Sequence, residues 1–94
     1  MKQFTYQIKD ENGMHARPAG MLASFAKQFD ATIRVSANGK EVDAKRLLSL
    51  MSLGATHGTE LTFLIEGAQE EAAAEALENF CKTQLQSNEA KKEN

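Results

Sequence analysis

Four short runs in this chain alternate apolar with polar side chains, and that alternation limits the folds open to it. Phe4, Tyr6 and Ile8 alternate with Thr5 and Gln7, Ile33 and Val35 with Thr32, Arg34 and Ser36, and Leu61, Phe63 and Ile65 with Thr62 and Glu66. Residues 40–43 form a fourth, shorter run, and Asn38-Gly39 before it is a strong hairpin signal. A period of two sends one face of a strand inward and the other to water. The resulting sheet is therefore covered on one side, and antiparallel pairing tolerates a wet second side.

Between these runs the period changes to that of a helix. Ala19, Leu22, Ala23, Ala26 and Phe29 lie opposite Arg17, Ser24, Lys27 and Gln28, predicting a helix over about 16–28, with Pro18 placed near its start, where a missing N–H costs nothing. Asp43 is the expected cap of a short helix over about 45–53, closed by Gly54 in the left-handed conformation. A last helix begins in Gln69, Glu70 and Glu71 and carries the stripe Ala73, Leu77, Phe80 and Cys81. The order β-α-β-β-α-β-α describes an α+β open-faced sandwich, with residues 1–86 as a single domain and 87–94 as a polar, frayed tail.

The 94 residues suffice for one domain with a small core, so apolar residues left outside need a reason. Charge argues against a polyanion-binding surface: 11 basic and 13 acidic residues leave a net −2, and the basic residues are scattered, so no nucleic-acid partner is expected. A lone Cys81 makes no intramolecular disulfide or cysteine cage, which suits a reducing compartment. The start MKQFTYQIKD lacks the apolar stretch of a signal peptide, and no apolar run approaches 18 residues. A cytoplasmic protein without membrane insertion is the expectation.

Chemistry concentrates in GMHARPAG, residues 13–20, where a loop becomes a helix. The first helical amides lack intrahelical acceptors, and the macrodipole adds partial positive charge, so Ala16, Arg17 and Pro18 outline an anion site beside His15. Arg17 adds a charge-assisted contact, and the positive helix end favours the neutral, nucleophilic imidazole. Two readings of His15 stand, a phosphoryl acceptor or a surface histidine beside a capping loop. A second feature lies in the short helix, where Leu47, Leu48, Leu50, Met51 and Leu53 are too many for one face. Spacing by three assigns Leu47, Leu50 and Leu53 to the core, leaving Leu48 and Met51 for a protein partner, unless the helix is buried more deeply.

With GMHARPA at 13–19, NGK at 38–40 and MSLG at 51–54, the chain resembles HPr, the histidine-containing phosphocarrier family of the bacterial phosphoenolpyruvate-dependent sugar phosphotransferase system, over residues 3–85. The resemblance implies a four-stranded antiparallel sheet of order 1-4-2-3 under three helices. It implies phosphorylation of His15 at Nδ1 by enzyme I, assisted by Arg17, and onward transfer to IIA domains of sugar permeases. Gly20, Met21, Ser24, Leu47, Leu48 and Met51 would form the surface docking both partners. No metal, no cofactor and no activity as a stand-alone enzyme are implied, and a monomer is expected. The alternatives are a regulatory paralogue of the nitrogen or dihydroxyacetone-kinase branch, or an interaction module that binds an anion without phosphotransfer.

One position departs from the family pattern. Many relatives carry a regulatory serine, phosphorylated by HPr kinase, where this chain has Arg46, and neither Ser49 nor Ser52 stands at the helix start. That control is expected to be absent or altered. His57 reads as a solvated loop histidine, and the Glu70, Glu71, Glu75 and Glu78 set as a wet helix face.

Overall fold

Residues 1–85 are described by the computed structural model, so the expected frayed tail lies outside the described residues. In chain order the elements are β1 (Lys2–Gln7), α1 (Ala16–Ala26), β2 (Thr32–Ala37), β3 (Lys40–Asp43), α2 (Leu47–Met51), β4 (Glu60–Glu66) and α3 (Glu70–Thr83). The strands form one sheet, β1-β4-β2-β3, with every pairing antiparallel. Both the order and the one-sided cover match the expectation.

Register puts the apolar residues of neighbouring strands on one face. Phe63 stands opposite Phe4 on one side and Val35 on the other, and Val35 stands opposite Val42. The Phe4 and Phe63 rings stack at 4.6 Å. Leu22, Ala19 and Ala26 of α1 and Ala73, Leu77 and Cys81 of α3 close the core from above, all without exposed surface. Each fully buried leucine contributes about 2 kcal/mol. Burial pushes the Cys81 thiol up to about 12, as expected of an inert core cysteine.

Boundaries shift where local bonds compete with the period. Ile8 is buried but lies beyond β1, its N–H donating to the Thr59 carbonyl and its carbonyl accepting from Gly58. α1 ends at Ala26, because Gln28 and Phe29 donate to Phe25 and Ala26 in the tighter i−3 pattern.

The short helix departs further from expectation. Asp43 does not cap it: Asp43 ends β3 opposite Arg34, and its Oδ1 takes the Lys45 N–H in a turn at 2.9 Å. The cap position passes to Arg46, with no side-chain cap bond, and the helix begins at Leu47 rather than at 45. Leu47, assigned to the core by spacing, is 40% exposed, whereas Leu50 and Leu53 are buried. Helical side chains lean back over the preceding turn, and at the first helical position there is no preceding turn to cover. Gly54 does adopt φ +67°, as its place after the helix requires.

Two loops fasten the far end of α2. Asn38 (φ +53°) and Gly39 (φ +78°) make the left-handed β2–β3 turn, and from it Asn38 Nδ2 donates to the Leu53 and Gly54 carbonyls while Lys40 Nζ reaches that of Ser52. On the other side the Met14 N–H donates to the Ala55 carbonyl at 3.0 Å. Gly13, at φ +70°, lies so near that a Cβ would stand 2.5 Å from the Ala55 oxygen. Gly13→Ala is therefore expected to destabilise the fold by about 3 kcal/mol, from left-handed strain plus overpacking, measured as a lowered urea midpoint with an unchanged slope.

Candidate functional site

After β1 the chain folds back on itself before entering α1. Asp10 organises this loop: its carbonyl accepts the Gly13 N–H at 3.0 Å and its Oδ1 accepts the Asn12 N–H at 2.8 Å. The buried Met14 then anchors it, which leaves His15 at the N-cap of α1 with extended backbone and no side-chain cap bond. The His15 carbonyl accepts the Ala19 N–H at 3.0 Å, committing the backbone to the helix while the imidazole stays outside it.

Around the ring the predicted anion features come together. Ala16 and Arg17 open α1, where backbone amides have no acceptor within the helix and the dipole is positive. Pro18 has no N–H and is buried, so it shapes the helix start rather than donating to an anion. Arg17 is half-exposed, with Nη1 3.9 Å from Met21 Sδ and Nη2 3.9 Å from Asp10 Oδ2.

The two ring nitrogens of His15 are not equivalent. Nε2 is shielded from solvent and has no hydrogen-bond partner, although the side chain as a whole is 36% exposed. Its near neighbour is Asp10 Oδ2 at 3.6 Å.

Asp10 is the site residue that sequence reasoning missed. Its type and place read as turn chemistry, and only the reversal at Gly13 brings a carboxylate five positions upstream against the imidazole. The positive helix end is thus balanced by a buried acid at the back of the ring.

The expected docking residues fall on two adjoining helices. Arg17, Gly20, Met21 and Ser24 recur at the spacing of one helix face. Ser24 is exposed, Met21 is half-buried and Gly20 has open space where a Cβ would stand. α1 packs against α2. There Leu47, Leu48 and Met51 are 40, 78 and 38% exposed, and only Met1 joins them as an exposed large apolar residue among those described. Arg46 pairs with Asp43 Oδ2 at 3.9 Å, and Ser52 Oγ donates to the Ser49 carbonyl at 2.6 Å. His57 lies exposed in its loop. No helix among the described residues is long and apolar enough to cross a membrane.

Comparison with known proteins covers most of the chain. The family model for the PTS HPr component phosphorylation site matches residues 2–83. The phosphocarrier protein HPr of Vibrio cholerae serotype O1 is 46% identical over 71 residues, covering 76% of this chain and 84% of that protein. A multiphosphoryl transfer protein of the same organism is 45% identical over 76 residues, which are 78% of this chain but only 19% of that larger protein. Among solved structures, HPr-C-His from Thermoanaerobacter tengcongensis superposes with a TM-score of 0.82 at 38% identity, covering 87% of this chain and 92% of its own. A phosphocarrier protein HPr from Bacillus anthracis str. Ames gives 0.75 at 38% identity, with coverages of 81% and 90%. Matching in sequence along most of its length and in the order of its sheet, the chain belongs to the HPr family of phosphocarriers of the phosphotransferase system.

Proposed function

We propose that this chain is a mobile phosphoryl carrier of the bacterial cytoplasm, taking the group from phosphorylated enzyme I on Nδ1 of His15 and delivering it to IIA domains of sugar permeases. The observation that carries this reading is the asymmetry of the imidazole: at the start of α1, Nε2 is shielded with Asp10 Oδ2 3.6 Å away, which favours Nδ1 as the nitrogen that takes the group. In each transfer the bond from phosphorus to the donor atom breaks as the bond to the acceptor forms. Arg17 and the helix end balance the charge on the phosphoryl oxygens.

The carrier turns over no small substrate alone. Orientation is supplied when a partner closes over His15, which converts an encounter into a positioned reaction. Leu47, Leu48 and Met51, with Gly20, Met21 and Ser24, provide the apolar contact for both partners. Those contacts are brief, because a carrier held tightly by one partner does not reach the next. It acts as a monomer, and with Arg46 at the place of the regulatory serine it is not switched by HPr kinase.

Incubation with phosphoenolpyruvate and catalytic enzyme I is expected to add one acid-labile, base-stable phosphoryl group by intact-mass spectrometry, and none to His15→Ala. No adduct on the wild-type chain would remove the carrier reading. Leu48→Glu should slow that transfer about tenfold while leaving the thermal midpoint in place, since an exposed side chain contributes to docking and not to the core. A parallel loss of stability would count against the docking role. Treatment with HPr kinase and ATP should leave the peptide spanning residues 45–54 unmodified by mass, and a phosphate on Ser49 or Ser52 would contradict the loss of that switch.

A further inference from the structure

Asp10 is the buried charged side chain among the described residues, only 5% exposed, and the transfer described above gives it no part beyond shielding Nε2. The Asn12 N–H holds its Oδ1 while the Gly13 N–H holds its main-chain carbonyl, so the carboxylate is presented by a closed turn. Oδ2 faces His15 Nε2 at 3.6 Å and Arg17 Nη2 at 3.9 Å. An approach of about 0.6 Å brings the carboxylate and Nε2 to hydrogen-bond length. Nε2 itself is shielded from water and otherwise without a partner, a costly state for a polar nitrogen.

We propose that Asp10 is a positioning residue for phosphotransfer, whose carboxylate keeps the His15 proton on Nε2 in both the free and the phosphorylated carrier. The inference rests on the carrier reading given above. A neutral imidazole holds one proton, and which nitrogen carries it is set by the partner of the other. With the proton on Nε2, the Nδ1 lone pair is free to form the bond to phosphorus as the donor's bond breaks. The ring then carries a positive charge next to Asp10. When the group leaves, the Nδ1–P electron pair returns to Nδ1 and restores a neutral imidazole, with the proton still on Nε2. No proton moves in either direction, so transfer is reversible without help from solvent. Arg17 completes the exchange: a phosphoryl group on Nδ1 draws the guanidinium from Oδ2 and leaves that oxygen to the ring.

The test uses chain labelled with [15N]histidine, read by two-bond 1H–15N spectra at alkaline pH. The wild type is expected to show predominantly the Nε2–H form. Asp10→Asn keeps an oxygen for the Asn12 N–H but turns an amide N–H toward Nε2. The proton population should therefore move toward Nδ1, and phosphorylation by phosphoenolpyruvate and enzyme I should slow about fivefold, the scale of one partly exposed charge pair. Asp10→Ser retains a turn acceptor but stops short of the ring, so a mixed tautomer is expected from it even if the Asn variant fails to fold. An unchanged tautomer ratio in both variants overturns the proposal, as does a shifted ratio with an unchanged rate. Absence of phosphorylation in the wild type overturns the carrier reading, and this proposal with it, whatever the tautomer.

Discussion

The hydrogen bond from the Met14 N–H to the Ala55 carbonyl joins the two halves of the site. On one side is the loop that ends at His15, and on the other the segment that follows α2. Gly13 permits the approach, since any side chain there meets the Ala55 oxygen. Asn38 and Lys40 grip the same segment from the β2–β3 turn, so the turn, the end of α2 and the imidazole loop form one connected scaffold. The three stretches quoted for the family resemblance, residues 13–19, 38–40 and 51–54, are the three ends of this scaffold. Their spacing in sequence reflects a junction in space.

Economy of core explains why α2 is apolar on its outer side. A five-residue helix has room for one fully buried anchor, and Leu50 fills it. Further apolar residues in so short an element have nowhere to go but outward, where Leu47, Leu48 and Met51 lie alongside α1. A larger domain could hide such residues, whereas this one leaves them on its surface.

Much of this was legible in the residues themselves. The alternating runs lead directly to a sheet covered on one face, and Asn38-Gly39 and Gly54 turn where their types require. The neighbourhood of α2 was less legible because three local claims compete there. Asp43 is an excellent cap in isolation, but its backbone belongs to the β3 ladder and its carboxylate to a turn. Leu47 fits a spacing of three, yet a helix that starts at that residue has no turn beneath it. Asp10 was illegible for a different reason: its contact with His15 is made by a loop reversal, and no periodicity records which residues a reversal brings together.

The sheet has a bare face and two edges, the features that let strands of separate molecules zip together. Here the outer strand β3 is only four residues long, and Lys40, Glu41 and Asp43 are charged. Glu41 is also engaged across the sheet by Arg34. A second chain adding to that edge would have to strip water from these charges over too short a ladder to be repaid. The β3 edge is thereby a poor template for a strand from a second molecule, a safeguard built from a short ladder and its charges.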